Sequence, residues 1–165
     1  SWEKLAGMIG EKFKVFSLCH NVNAGDGNGV FGNRWKLLEG KGKYSAHECG
    51  IRFEVGPNTF MQVNRSVCRK LYERTVRFAT ESGAKVAVDA YSGSGLLTAM
   101  LAKQIGRAYG IEVVAEAVQC ANDLIVPNKL EGKLINLCGK VEDELPKVLA
   151  EQDLSQTVLV VDPPR

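Results

Sequence analysis

The sequence lacks the runs and clusters that define several broad classes of protein. No apolar stretch approaches the ~20 residues of a membrane-spanning helix, and Ser1-Trp2-Glu3-Lys4 opens nothing like a secretory signal. The expectation is an intracellular chain with no membrane segment. It starts on Ser1 rather than Met, which reads as an internal start. No C-x-x-C pair occurs. Cys19, Cys49, Cys68, Cys120 and Cys138 are odd in number and widely spread, which argues against a zinc site or a disulfide framework and for buried, reduced thiols. No metal is expected, and neither an internal repeat nor a low-complexity segment is found.

What is present is an ordinary folded composition, 45% hydrophobic and 24% charged over 165 residues, enough for one compact domain with a small appendage. The net charge of +2 conceals an asymmetry. Residues 1 to 77 hold 13 Lys/Arg against 7 Asp/Glu, and residues 78 to 165 hold 8 against 12. The first half could therefore face a polyanion.

Between residues 13 and 60, FKVFSLCHNVN, VFGNRWKLLEG and HECGIRFEVG are separated by Gly, Asn and Asp clusters, the pattern of antiparallel hairpins. Asp26-Gly27-Asn28-Gly29 reads as a loop, since an EF-hand would need more oxygen ligands and a distal Glu. After Pro57 the period changes. Asn64 can cap a helix running to about Ser82, with Val67, Leu71, Thr75 and Phe78 along one stripe and Gly83 as its stop. Arg65, Arg69, Lys70, Arg74 and Arg77 decorate it, and a solvated face is preferred over an RNA contact.

From Lys85 onward strands and helices alternate. VAVDAY, RAYGIE, KLINLC and TVLVVD are strands; GLLTAMLAKQI, VVAEAVQCANDLI and EDELPKVLA are helices, the last interrupted by Pro146. Repeated β-α units imply a parallel sheet with right-handed crossovers. The fold class is α/β, with a β-rich region over 1–60 and the sheet domain over 61–165. The final VLVVDPPR reads as a buried strand ended by Asp162 and two prolines, and so as a fragment cut at its active site.

The stretch Asp89-Ala90-Tyr91-Ser92-Gly93-Ser94-Gly95 follows the first of these strands and opens a helix. Gly93 and Gly95 let the backbone approach a ligand, and the helix start offers free N–H groups to it. A dinucleotide fingerprint would carry a third glycine where Thr98 stands, and a Walker loop would need Gly-Lys-Ser/Thr where Gly95-Leu96-Leu97 stands. Glu112 ends the next strand, where a carboxylate can accept hydrogen bonds from both ribose hydroxyls. An adenosyl ligand fits, with or without phosphates.

Joined in order, FEVGPNTFMQVNRSV, VDAYSGSGLLT, GIE and VVDPPR resemble the RNA uracil-5 methyltransferase family. The resemblance covers Phe53 to Arg165, and the hairpins before it resemble that family's β-rich region. It implies a class I methyltransferase, Rossmann-like parallel sheet, here incomplete, with S-adenosylmethionine as cofactor, tRNA or rRNA as substrate, and a monomeric state. It assigns cofactor contacts to Gln62, Tyr91, Glu112 and Asp162, within a loop built on Asp89, Gly93 and Gly95. Leu96 and Lys140 depart from the family pattern, at positions bearing on cofactor affinity. Arg165 after the two prolines, where enzymes of exocyclic amines often carry an aromatic, argues against amine methylation. In the family mechanism a Cys thiolate adds to carbon 6 of uracil and a carboxylate base removes the carbon 5 proton. Both groups are expected beyond Arg165, so the 165 residues alone are expected to be inactive. A noncatalytic RNA- or cofactor-binding module is the alternative; a dehydrogenase is opposed by Thr98.

Overall fold

The computed structural model describes residues 1–24, 31–32, 34–57 and 64–163. The Asp26–Gly29 loop, Gln62 and the final Pro164-Arg165 lie outside the described residues. Contacts divide the chain into two units, Ser1–Ala46 with Glu54–Thr59, and His47–Phe53 with Phe60–Arg165.

The first unit opens on a helix that the sequence reading did not anticipate, α1 (Trp2–Lys12). The Ser1 hydroxyl caps it by accepting from Lys4 N–H. Strands β1 (Ser17–Val22) and β2 (Arg34–Gly40) pair antiparallel, with a bulge between Leu18 and Cys19. Trp2 stacks on His20 at 4.3 Å between ring centroids, and Lys36 Nζ lies 2.6 Å from Glu3 Oε1.

The run HECGIRFEVG proves to be parts of two strands, β3 (Tyr44–Glu48) and β4 (Ile51–Val55). Cys49 and Gly50 turn between them with φ of 49° and 76°, the left-handed pair that a two-residue hairpin requires. The turn belongs to the second unit. Asn128 accepts from Arg52 N–H at 2.8 Å and donates to Arg52 O at 2.7 Å, Lys103 Nζ donates to Gly50 O, and Ile51 is fully buried.

Helix α2 (Arg65–Glu81) begins and ends where its signals stand. Asn64 Oδ1 accepts from Val67 N–H, and Gly83 follows Ser82 with φ of 75°. The buried stripe is a different one from that expected. Val76 and Ala79 are buried, whereas Val67, Leu71 and Phe78 face solvent. The basic residues are largely compensated: Arg65 pairs with Glu48, Arg69 with Glu73 and Arg77 with Glu81, and Arg74 lies over the Phe78 ring.

The alternating region contains β5 (Val86–Ala90), α3 (Leu96–Ile105), β6 (Arg107–Glu112), α4 (Ala115–Asn122), α5 (Ile125–Asn128), β7 (Leu134–Cys138), α6 (Val141–Ala150) and β8 (Thr157–Val161). Four strands form one parallel sheet in the order β7-β6-β5-β8. Within VVAEAVQCANDLI the expected helix is α4, which stops at Asn122, and only the last residue of the run, Ile125, belongs to the short α5. Conversely, α6 runs through Pro146 without a break. Alternation along β5 sends Ala87 to a core with α2 and α3, and Val88 and Ala90 to a core with α6.

The final strand is not buried on both faces as expected. Among the described residues β8 pairs with β5 alone, and Leu159 and Val161 are 43% and 54% exposed, while Val158 and Val160 pack inward.

Candidate functional site

Parallel strands end together, and the residues that follow β5, β6, β7 and β8 share one edge of the sheet. In register, Ala90 stands beside Ile111 on one side and Val161 on the other, and Glu112 beside Cys138. Open α/β sheets bind ligands at this carboxyl edge.

The loop after β5 is built on left-handed positions. Tyr91, Gly93 and Gly95 have φ of 68°, 54° and 78°. Tyr91 takes this conformation despite its Cβ, a strain that pre-organised sites tolerate. Ser92 N–H donates to Ile111 O at 3.0 Å, continuing the β5–β6 pairing, and Gly95 N–H donates back to Ser92 O at 3.0 Å. A Cβ on Gly95 would stand 2.5 Å from that of Ala121, so this glycine also permits close approach of α3 and α4. Gly95 offers no side-chain cap to α3.

Glu112 joins the loop to the second strand. Its Oε2 accepts from Gly93 N–H at 3.0 Å and its Oε1 from Val114 N–H at 2.9 Å. A carboxylate has about four acceptor positions, so two remain for hydroxyl donors.

Asp89 is buried and accepts from the Thr98 hydroxyl at 2.6 Å. Burial pushes its carboxyl up to about 6, opposed by the Thr98 hydrogen bond and reinforced by the nearby Asp162 charge. Tyr72, on α2, is raised well above the ordinary phenol range, chiefly by burial, then by its hydrogen bond with Cys68 and by the charges of Asp89 and Asp162. The structure thus brings Asp89, Tyr91, Gly93, Gly95, Glu112 and Asp162 to one edge. Lys140 is the exposed residue preceding α6, and Leu96 packs against the core.

In the sequence Thr98 stands out only as a missing glycine. The structure makes it the partner of Asp89; a lone hydroxyl within LLTAMLA was its signal. The thiols are less buried than expected, with Cys120 and Cys138 exposed and all five free. Burial, helped by the Glu48 and Glu73 charges, raises the Cys49 thiol, the opposite of nucleophile activation. Among the described residues no cluster of His, Cys, Asp and Glu could hold a metal ion, and no helix is long and apolar enough to cross a membrane.

No protein-family model matches the chain. Over 152 residues, 92% of its length, it is 36% identical to an uncharacterized RNA methyltransferase of Enterococcus faecalis, of which the match covers 33%. The chain is homologous to RNA methyltransferases. It spans about a third of the length of the curated relatives it matches. In structure it is similar to the Pyrococcus abyssi tRNA (uracil-54, C5)-methyltransferase in complex with S-adenosyl-L-homocysteine, with TM-score 0.72, 21% identity, and coverage of 94% of this chain and 36% of that one. It is also similar to Pyrococcus horikoshii TYW2 in complex with MeSAdo, with TM-score 0.57, 20% identity, and coverage of 86% and 48%. The sheet domain has the class I methyltransferase, Rossmann-like fold, as the sequence implied, alongside small antiparallel sheets.

Proposed function

We propose that residues 61–165 are the S-adenosylmethionine-binding part of an RNA (uracil-5-)-methyltransferase, preceded by a β-rich region over 1–60. The observation that carries this reading is the Glu112 carboxylate, fixed by two backbone N–H groups beside the glycine loop with two acceptor positions left over. Those positions suit the two ribose hydroxyls of the adenosyl group. Gly93 and Gly95 keep the loop backbone open to the ligand, Tyr91 borders the methionine moiety, Asp162 closes the edge from β8, and Gln62 contributes from the segment before α2. Asp89, turned to Thr98, holds the loop's first residue in place.

Bound at this edge, the cofactor supplies an electrophilic methyl group. The residues named here bind and orient it. Among the five cysteines none is assigned as the thiolate of uracil chemistry: burial raises Cys49, and Tyr72 engages Cys68. Uridine carbon 5 is favoured as the target because Arg165 replaces the aromatic of amine methyltransferases and because of the uracil-54 specificity of the Pyrococcus abyssi enzyme. The substrate RNA is tRNA or rRNA.

Calorimetric titration with S-adenosylhomocysteine tests the reading, with NADH as control. Saturable binding of the first alone is expected, weakened about tenfold or more in Glu112→Ala through loss of hydrogen bonds to a charged acceptor. Equal binding of NADH, or full affinity in the variant, contradicts it.

A further inference from the structure

The first unit carries a groove that the cofactor reading does not use. It has a volume of about 690 Å³ and is lined by Phe16, Lys41, Lys43, Tyr44, Ser45 and Glu54, within the ~300–1,000 Å³ range of ligand clefts. Its shape follows from one glycine. Gly40 has φ of 79°, and a Cβ there would stand 2.1 Å from Phe16 O. That close approach lets Lys41 N–H donate to Phe16 O at 3.0 Å, which holds the Lys41-Gly42-Lys43 turn against Phe16.

The aromatic pair is incompletely buried. Phe16 and Tyr44 meet edge to face, with centroids 5.6 Å apart and planes at 79°. Yet they remain 53% and 45% exposed, so ring surface is open to the groove. Lys41 and Lys43 flank them, and neither joins an ion pair among the described residues. Aromatic faces with adjoining unpaired ammonium groups are what a single-stranded nucleic acid requires, one for its bases and the other for its phosphates. Glu54 supplies an acceptor for base N–H donors and weighs against a general polyanion sink. A duplex has its bases stacked and could offer none to these rings.

We propose that this groove binds single-stranded RNA, with a base stacked on the Phe16–Tyr44 pair and its flanking phosphates on Lys41 and Lys43. The choice of RNA over other polyanions rests on the proposed function; the site itself is separate from the one that holds the cofactor.

The test is fluorescence anisotropy of a labelled, unstructured ~10-nucleotide oligouridylate titrated with the 165-residue chain across a salt series. Tyr44→Ala should weaken binding about tenfold, and Tyr44→Phe should stay within about twofold of the parent. The Lys41→Gln/Lys43→Gln pair should reduce the salt slope by about 1.4. Circular dichroism and S-adenosylhomocysteine titration should be unchanged in all three. Unaltered RNA binding in folded Tyr44→Ala, or equal displacement of the oligonucleotide by heparin and by unlabelled RNA at matched phosphate, overturns the proposal. Loss of RNA binding with intact cofactor binding in the parent chain sinks the groove alone. RNA binding of the expected kind without cofactor binding sinks the cofactor reading and leaves the groove.

Discussion

Asp89 places a carboxyl group beneath the first turn of α3, where burial raises it to about 6 from an ordinary value of 3.8. Below about pH 4 the group is neutral in both folded and unfolded chains. Between about 4 and 6 the folded chain keeps the proton and the unfolded chain releases it, so stability falls as pH rises through that window. Above it the cost is complete, about 3 kcal/mol at most. Asp89→Asn should therefore raise the urea midpoint at pH 7.5 and leave it unchanged near pH 4. A lower midpoint at pH 7.5 would mean that the Thr98 hydrogen bond to the charged form outweighs desolvation. Asp89 was legible from its place before Y-x-G-x-G. Its pairing with Thr98 was not, because a contact nine residues away depends on how α3 leaves the loop.

Among the elements, the loop glycines separate two physical requirements. Gly93 and Gly95 both have left-handed φ, but a Cβ on Gly93 meets nothing within 4 Å whereas one on Gly95 meets Ala121. Gly93→Ala should cost about 1 to 2 kcal/mol from backbone strain alone. Gly95→Ala should cost measurably more, since α3 and α4 must separate as well. Equal losses in paired denaturant titrations would contradict the assigned packing. Helix α2 was readable at both ends because Asn64 and Gly83 are local signals. Its buried stripe was not, since Val67-Leu71-Phe78 and Tyr72-Val76-Ala79 both recur at helical spacing and only the core chooses between them. The break between α4 and α5 leaves no strong local mark, and α1 lies before the alternating pattern that drew attention to strands. Pro146 is the sixth of the ten residues of α6, and its missing N–H forfeits a single bond while the helix continues through it.

For the whole molecule, the parallel sheet was legible because four short strand-like runs alternate with helical ones, a pattern with few topological solutions. The exposure of Leu159 and Val161 was not, because VLVV is apolar at every position and does not tell which of its faces is covered. The carboxyl edge gathers six of the seven residues assigned to the cofactor, the seventh being Gln62, outside the described residues. That gathering is the centre of the account, and a crystal structure of the chain with S-adenosylhomocysteine tests it most directly. The expected result is both ribose hydroxyls within hydrogen-bond distance of the Glu112 carboxylate, the Gly93 contact retained, and the methionine moiety along Tyr91–Gly95. A ligand bound away from Glu112, or seated at the opposite edge of the sheet, would contradict it.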